Sequence, residues 1–312
     1  RGLGDVYKRQ AVKYLSVMFS APETLCRMLV DAYGEHDAME ILRYRPKDRS
    51  VTVRVNYLRC DDARLRSLFA DDELEFEPGI LPGVYKVHSA GDMTRMRAFQ
   101  NGLFTIQGES SVLAARMVGA KPGQTVLDAC AAPGGKTAVM SEMMGDTGRV
   151  YAWDTHAHRV ELIRGTMNRL KLENVRPAVK DASVPREEMA MTLDAALVDA
   201  PCSGLGVIRK KPDIRYKPLD AIERLPEVQR AILETVSRYV KPGGALLYST
   251  CTVRKEENEA VALPFLQAHP EFSLEPFPVP DGLDLPNEGY AALLPHKHAA
   301  DGFFICKLRK HA

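Results

Sequence analysis

The spacing of apolar and polar positions changes near residue 100 and divides the chain into two parts. Before this point, short apolar runs alternate with dense charge. Residues 22–30 and 61–69 have helical spacing, whereas residues 51–55 alternate as a strand does. The pattern predicts a linker helix over residues 11–36 and a small α/β module over residues 37–100.

From residue 101 to residue 312 the pattern becomes a succession of strands and helices. Apolar runs short enough for buried strands alternate with longer segments of helical spacing. This alternation predicts a doubly wound, mostly parallel sheet with helices on both faces. The runs that we interpret as strands include 125–129, 148–153, 193–199, 244–249 and 302–308.

Composition narrows the class of protein. The 312 residues include 42 Lys and Arg against 41 Asp and Glu, a net charge of +1, which argues against a uniformly basic nucleic-acid coat but allows a local basic groove. The longest uncharged stretch, 242–253, is shorter than the roughly 18 residues of a membrane span. We therefore expect a cytoplasmic protein without membrane attachment. Residues 1–10 are charged and do not begin with Met, and we interpret them as a leader outside the fold.

The cysteine and histidine spacings do not predict a metal centre. The closest two of six cysteines, Cys26 and Cys60, are 34 positions apart, so no Cys-x-x-Cys pair exists. His156 and His158 form one histidine pair and His296 and His298 another, but neither has a nearby cysteine. We expect no bound metal. Three of the thiols are expected to be small buried side chains: Cys26, Cys60 and Cys306.

A glycine-rich turn after the first strand of the larger part is a candidate nucleotide-binding loop. A P-loop would require glycine at position 130, where the chain has Cys130. An adenosine-binding turn instead expects an acid about 20 residues further on, to bind the ribose hydroxyls. Asp154 lies 20 residues after Gly134, which favours the adenosine interpretation. The candidate cofactor-binding residues of the loop are Cys130, Ala131, Ala132, Pro133, Gly134, Gly135 and Lys136.

Two further acids follow predicted strands. Asp181 comes after the third strand and could reach the adenine edge, although an acid here is as easily a helix cap. Asp199 ends the fourth strand and should face the reactive end of the cofactor. Ligands of open α/β sheets bind beyond the carboxyl ends of the strands, where both acids are expected.

Two cysteines occupy equivalent places at strand ends. Cys202 follows the fourth strand directly, and Cys251 follows the fifth. A thiolate suits the methylation of a pyrimidine carbon, because its addition at C6 of cytosine makes C5 nucleophilic enough to accept a methyl group. The pair therefore predicts covalent catalysis on a pyrimidine base.

Taken together, these motifs resemble the NOL1/NOP2/Sun family of RNA 5-methylcytosine methyltransferases, and the resemblance extends from about Tyr14 to Lys310. It implies a Rossmann-like class I methyltransferase domain with a seven-stranded sheet, and S-adenosyl-L-methionine as cofactor. It also implies that Cys251 is the nucleophile, that Cys202 assists product release and that Asp199 belongs to the catalytic site. The motifs are 130–137, 199–202, 206–214, 249–252, 256–258 and 301–304.

The 206–214 motif is most similar to the bacterial branch that modifies small-subunit (16S) ribosomal RNA. The resemblance implies a ferredoxin-like, RNA-recognition-like module before the catalytic domain. That branch usually begins with an all-helical NusB-like domain, for which we expect no room before Tyr14. DNA cytosine methyltransferases use the Pro-Cys thiol instead, and the Glu257-Asn258-Glu259 sequence after Cys251 makes that alternative weaker.

A basic segment, residues 205–217, follows the Pro-Cys loop and has five cations against Asp213 alone. It could bind phosphates beside a target base flipped into the site, although such a run is often only a solvated face. We expect a monomer acting on ribosomal RNA. A transfer-RNA or large-subunit target, a non-catalytic RNA-binding assembly factor and a P-loop NTPase remain alternatives. The candidate RNA contacts are Arg209, Lys210, Lys211, Arg215 and Lys217.

Overall fold

The computed structural model describes residues 3–45, 50–88, 91–218, 220–286 and 288–311, and begins with two packed helices. Helix α1 is Leu3–Phe19 and helix α2 is Glu23–Arg43, with a kink at Gly34 where φ is 79°. Their apolar faces pack on each other and on Leu205 and Ile214 of the larger domain. Helix α1 includes residues 3–10, so the boundary predicted at residue 10 is not a break in secondary structure. The single linker helix predicted for 11–36 is likewise two helices.

The small module forms a four-stranded antiparallel sheet. Its strand order is β2-β3-β1-β4, which is the ferredoxin-like arrangement with β1 and β3 at the centre. Strand β4 lies beyond the predicted boundary at residue 100, so the module ends at Ile106. The elements are β1 (Val51–Val55), α3 (Asp62–Asp71), β2 (Phe76–Pro78), β3 (Val84–Val87), α4 (Arg97–Gln100) and β4 (Phe104–Ile106).

The larger domain alternates strands and helices, as the apolar pattern predicts. Each strand of its parallel part is followed by a segment that crosses one face of the sheet before the next strand begins. Its elements are α5 (Glu109–Met117), β5 (Thr125–Asp128), α6 (Gly135–Met143), β6 (Arg149–Asp154), α7 (Ala157–Leu170), β7 (Val175–Val179), β8 (Leu193–Asp199), α8 (Asp220–Glu223), α9 (Leu225–Ser237), β9 (Val240–Thr250), α10 (Glu259–Ala268), β10 (Phe272–Leu274), β11 (Tyr290–Leu293), α11 (Pro295–His298) and β12 (Phe303–Lys310).

The larger sheet has the order β10-β12-β9-β8-β5-β6-β7, with β11 also paired to β12. Strands β5 to β9 are parallel, and β12 is antiparallel to β9. The Rossmann-like prediction is therefore confirmed, but the sheet has eight strands rather than seven. The difference arises because two short strands, β10 and β11, share the outermost position beside β12.

Two apolar layers hold the helices on the sheet. Helices α5, α6 and α7 pack against one face, on side chains such as Val126 and Leu197. Helices α9 and α10 pack against the other face, on Leu127 and Val198. Neighbouring strand residues thus serve opposite layers, which explains the nearly continuous apolar runs in the sequence. None of the helices described is long and apolar enough to cross a membrane.

Candidate active site

The carboxyl ends of the parallel strands gather the predicted site at one edge of the sheet. Strands β5, β6 and β8 end at Asp128, Asp154 and Asp199, and Cys251 directly follows β9. Because these strands are neighbours and point the same way, their ends lie side by side. The site predicted from separate segments is therefore one contiguous region of the molecule.

The loop between β5 and α6 is shaped by glycine. Gly134 has φ of 106°, in the left-handed region, and immediately precedes α6. A Cβ atom there would also lie 3.1 Å from Cε of Met167. The backbone amide of Ala131 donates to the carbonyl of Trp153, at 2.8 Å, and the Ala132–Pro133 peptide is cis. The loop is thereby pinned to β6, the strand that carries Asp154.

Asp128 is a buried acid of this loop that the sequence analysis did not single out. Burial raises the pKa of its carboxyl to about 7, although the hydrogen bond from Thr137 Oγ1, at 2.7 Å, opposes the shift. Its other oxygen, Oδ1, has no hydrogen-bond partner. Its position at the end of β5, equivalent to that of Asp154 on β6, was the available signal.

The two acids predicted to bind the adenosine part of a cofactor differ in their surroundings. Asp154 is buried, and Arg159 Nη1 lies 3.2 Å from its Oδ2. Asp181 is exposed and accepts hydrogen bonds from the amide and hydroxyl of Ser183. Asp181 therefore caps a turn rather than a helix, and its contact with adenine stays a prediction.

Lys136 and Asp199 form an ion pair at the centre of the site. Lys136 Nζ lies 2.7 Å from Asp199 Oδ2, and Ser249 Oγ donates to Oδ1 at 2.8 Å. Burial by itself would lower the pKa of Lys136, but the Asp199 carboxylate outweighs it and raises that pKa. The lysine consequently stays charged, and it neutralises an acid that would otherwise oppose thiolate formation nearby.

The two thiols predicted to act together are in contact. Cys202 Sγ and Cys251 Sγ are 3.2 Å apart, and both cysteines are free. The hydrogen bond from Cys202 lowers the pKa of Cys251, and Lys136 lowers it further against burial and Asp199. The same hydrogen bond, burial and the carboxylate of Glu257 raise the pKa of Cys202. The charges around the pair therefore favour a thiolate on Cys251 and a protonated Cys202.

A buried carboxylate holds the Pro-Cys loop in place. Oε2 of Glu257, a fully buried side chain, accepts from the amide of Ser203 at 2.8 Å and from Gln229 Nε2 at 2.9 Å. Gln229 also donates to the carbonyl of Pro201. Glu257 lies in a motif noted in the sequence, but its contact with the loop across 54 positions was not predictable. Gln229 carried no local signal.

Glycines allow three catalytic segments to touch. The amide of Gly206 donates to the Cys251 carbonyl at 3.0 Å, and the amide of Gly302 donates to the Gly206 carbonyl at 2.9 Å. A Cβ atom on Gly206 would lie 2.0 Å from the Gly302 carbonyl oxygen. The Pro-Cys loop, the Thr-Cys turn and the start of β12 are thus held as one unit.

Most basic side chains of segment 205–217 form hydrogen bonds within the protein. Arg209 Nε and Lys210 Nζ donate to the carboxylate of Asp301, at 3.1 and 2.7 Å. Arg215 donates to the Phe19 carbonyl and Lys217 to the Ser203 carbonyl, whereas Lys211 is exposed. The segment is therefore more than a solvated face, and contact of these five residues with RNA remains a prediction.

Three cysteines lie outside the candidate active site. Cys26, Cys60 and Cys306 are buried, as predicted. In the parts of the chain that the structure describes, no three His, Cys, Asp or Glu side chains are grouped as metal ligands would be.

Known proteins match both the sequence and the fold. Residues 115–309 match the family model described as 16S rRNA methyltransferase RsmB/F. A probable ribosomal RNA small subunit methyltransferase B of Bacillus subtilis is 41% identical over 305 residues, which are 96% of this chain and 68% of the relative. The chain thus spans about two thirds of that relative's length.

Two solved structures share the fold. The structure titled PH0851 is 34% identical, has a TM-score of 0.88 and is matched over 96% of this chain and 68% of its own. NSun6 from Pyrococcus horikoshii, solved with SFG, is 22% identical with a TM-score of 0.82, over 93% of this chain and 98% of its own. The second likeness concerns the fold alone.

Proposed function

The chain belongs to the family of the 16S rRNA methyltransferase RsmB/F, and on that premise we propose that it methylates C5 of a cytosine in small-subunit ribosomal RNA. Membership makes it a methyltransferase and confirms the resemblance drawn from the motifs. The observation that carries the finer proposal is the contact between Cys202 and Cys251, beside the ion pair of Lys136 and Asp199. A cytosine C5 reaction needs a thiolate nucleophile, and this cluster favours one on Cys251.

The strand-end loop fits S-adenosyl-L-methionine as the methyl donor. Gly134 immediately precedes α6 and has no side chain, so a ligand can approach the backbone there closely. The free amide groups at the start of α6 are available to it. Asp154, a buried acid at the end of β6, would accept hydrogen bonds from ribose hydroxyls. Oδ1 of Asp128, which has no hydrogen-bond partner, is a further buried acceptor at the end of the neighbouring strand β5. When bound, this cofactor supplies an electrophilic methyl group.

Cys251 would begin the reaction on a flipped cytosine. Its thiolate forms a bond to C6, and the π electron pair of the C5–C6 double bond is delocalised from C5 through C4 to N3, which makes C5 the nucleophilic carbon of an enamine. The Asp199 carboxylate can accept a hydrogen bond from the base's amino group while Lys136 balances its charge. C5 is then methylated, and the base remains bonded to the enzyme through Cys251.

Cys202 would assist release of the product. The proton on C5 must leave, and its electron pair restores the double bond as the bond between Cys251 and C6 breaks. Cys202, in contact with the departing sulfur, can donate a proton to it and accept the C5 proton in its place. The pair then holds two protons and loses one to solvent, which restores the Cys251 thiolate.

A trapping experiment tests this assignment. Wild-type, Cys202→Ala and Cys251→Ala proteins are incubated with S-adenosyl-L-methionine and small-subunit rRNA transcript, then resolved on a denaturing gel. We expect a slow-migrating protein–RNA band for Cys202→Ala, because the adduct forms but is not released. We expect neither band nor turnover for Cys251→Ala.

Other results would favour the alternative functions. A trapped band for Cys251→Ala alone would exchange the roles of the thiols, as in the DNA-type mechanism. If the wild-type protein binds RNA without forming 5-methylcytosine, the non-catalytic assembly factor is favoured. Bisulfite mapping of ribosomal and transfer RNA from cells with and without the gene would identify the target and expose a target outside the small subunit.

A further inference from the structure

A cavity lies between the small sheet and the larger domain. It has a volume of about 710 Å³. One wall is formed by Thr52, Glu77 and Lys86 of the small module, and the facing wall by Arg209, Lys210 and Asp301. Of its lining, the sequence suggested a ligand only for Arg209 and Lys210, which are candidate RNA contacts; the wall on the small module has no ligand assigned.

The wall on the small module is the uncovered half of one sheet face. Thr52 and Glu77 are the cross-strand neighbours of Lys86, so the three side chains form a row on one face. The other face, with Val53 and Tyr85, is covered by the helix-side core of the module.

The next row of the same face is covered by the catalytic domain. Val84 packs into the larger core, and its cross-strand neighbour Arg54 is paired with Glu142 of α6. Only the row with Lys86 is left to line the cavity.

An RNA recognition motif binds RNA on this face through aromatic side chains of its central strands. Here the central strands present Thr52, Arg54, Val84 and Lys86 to that face, and none of them is aromatic. Base stacking on the sheet is therefore excluded as the mode of recognition. What the open row offers is a cation and polar groups, which suit the sugar–phosphate backbone.

The charges around the cavity favour a polyanion. The cations on its walls are Arg45, Lys86, Arg209 and Lys210, against the carboxylates Glu77, Glu109 and Asp301. All three carboxylates have partners in the protein. Asp301 accepts from Arg209 and Lys210, Glu109 accepts from the amides of Ile80 and Leu81, and Glu77 Oε1 lies 3.9 Å from Lys86 Nζ, a looser ion pair than those of Asp301. Arg45 is exposed and donates to the backbone carbonyls of Leu42 and Tyr44, and no acid among the described residues forms an ion pair with it.

The residues that precede Gly108 and follow Asp301 in the chain connect the lining of the cavity to the candidate active site. Gly108 of the lining follows Gln107, whose side chain lies against Gly135 of the candidate cofactor loop. A Cβ atom on Gly135 would be 3.3 Å from Gln107 Nε2. Asp301 precedes Gly302, which is hydrogen-bonded to Gly206 and through it to the Cys251 segment. A strand whose base is in the active site could continue directly into this cavity.

We propose that this cavity binds the sugar–phosphate backbone of the single-stranded RNA segment next to the target cytosine. The inference rests on the proposed function for the position of the target base. Lys86 and Arg45 contact phosphates from the module side, and Lys210, whose side chain is 47% exposed, contacts them from the catalytic side. The ferredoxin-like module thus positions RNA through one row of a largely covered sheet.

Binding of a short, unstructured, cytosine-containing RNA, measured across a salt titration without methyl donor, tests the proposal. Each lost phosphate contact should reduce the slope of log affinity against log salt by about 0.7, or about fivefold in affinity between 1 M and 0.1 M salt. We expect this change for Lys86→Gln and for Arg45→Gln, with cofactor affinity and thermal midpoint unchanged. Lys121→Gln is the matched control, since Lys121 is exposed and precedes β5 at the opposite edge of the sheet.

Two outcomes would contradict RNA binding in the cavity without contradicting the proposed function. One is wild-type RNA affinity and salt slope in both Lys86→Gln and Arg45→Gln, in protein that still forms 5-methylcytosine. Another is competition by polyglutamate as effective as that by RNA, which would indicate an acidic peptide instead. If the wild-type protein forms no 5-methylcytosine but the two variants bind RNA more weakly than it does, RNA binding in the cavity is supported and the proposed reaction is wrong.

Discussion

At the scale of single residues, the hydrogen bond between the two thiols and the charges beside them shift the two pKa values in opposite directions. Lys136 lies beside Asp199 and lowers the pKa of Cys251, whereas Glu257 contributes to the raised pKa of Cys202. Two chemically identical groups in contact therefore differ in acidity. Because only a thiolate attacks carbon, this difference supports the proposed roles of Cys251 as nucleophile and Cys202 in product release.

The pH dependence of the reaction follows from this arrangement. We expect kcat/KM of the wild-type enzyme to rise with pH as the Cys251 thiol loses its proton, with a midpoint below pH 9, the ordinary pKa of a cysteine thiol. In Lys136→Met the positive charge is lost and Asp199 is no longer compensated, so the thiol pKa rises and the profile moves to higher pH. At neutral pH the loss should be at least about tenfold. Lys121→Met is the control, and a Lys136→Met profile with an unchanged midpoint would contradict the prediction.

The cofactor assignment of Asp154 is also testable at this scale. If its buried carboxylate accepts hydrogen bonds from ribose hydroxyls, Asp154→Asn should weaken binding of S-adenosyl-L-methionine in calorimetry by about 1.5–3 kcal/mol. The amide keeps the shape of the side chain but loses its charge and one acceptor. Asp213→Asn, at an exposed acid, should bind as the wild type does. Equal affinities for both variants would show that Asp154 serves only its ion pair with Arg159.

At the scale of elements, the site depends on loops that are held by one another as well as by the sheet. The Pro-Cys loop is tied to the Thr-Cys turn through Gly206 and to α9 through Gln229. Its distance from the Cys251 backbone is set by the absence of a side chain at residue 206. Small displacements of reacting groups are costly in catalysis, so the proposed reaction would depend on this packing.

Substitution of Gly206 tests the loop packing. In Gly206→Ala the new methyl group would meet the Gly302 carbonyl, so the loop must shift and the two sulfurs must separate. We expect kcat to fall by about 100-fold, the usual cost of a misplacement of about 1 Å. Trapping of the RNA adduct should fall with it.

A second glycine provides the control for Gly206→Ala. Gly165 lies in α7 with open space around its Cα, so Gly165→Ala should retain activity. It should also stabilise the protein by about 0.5–1 kcal/mol, because alanine favours the helix. Full activity in Gly206→Ala would show that the Pro-Cys loop can shift without loss of catalysis.

At the scale of the whole molecule, a buried ion pair joins the small module to the catalytic domain. Arg54 of β1 forms a two-pronged contact with Glu142 of α6, in which Nη2 lies 3.0 Å from Oε1, and both side chains are buried. Arg54 also donates to Gln107, beside the cofactor loop. Arg169 of α7 donates to the carbonyls of Phe99 and Phe104 of the module. The module is therefore part of one rigid structure with the catalytic domain.

Breaking this pair from one side should destabilise the protein strongly. Glu142→Leu leaves the Arg54 guanidinium buried without its acid, which we expect to reduce the free energy of unfolding by about 3–5 kcal/mol in urea titrations. The double variant Arg54→Met with Glu142→Leu removes both charges and should recover most of the loss. Glu161→Leu, at an exposed acid paired with Arg164, should cost less than about 1 kcal/mol. A small effect in Glu142→Leu would mean that water reaches the interface.

The sequence by itself determined the strands of the larger sheet, the glycine-rich loop and the two thiols, because these depend on apolar periodicity and on residues next to strand ends. It also determined the family, since six short motifs keep their order. The parallel direction of neighbouring strands was enough to place Asp154, Asp199 and Cys251 at one edge.

Only the tertiary structure decided which charges meet. Lys136 is 63 positions from Asp199, and Arg209 is 92 from Asp301, so neither pair has a local pattern from which it could be derived. The same holds for the small module. Its alternating strand predicted two faces, but not that the larger domain covers half of one of them. The two short strands that share the outer sheet position, and the extension of the module to Ile106, were likewise set by pairing partners distant in the chain. Local periodicity reports what a segment can form, and packing between distant segments determines which of its groups remain available for chemistry.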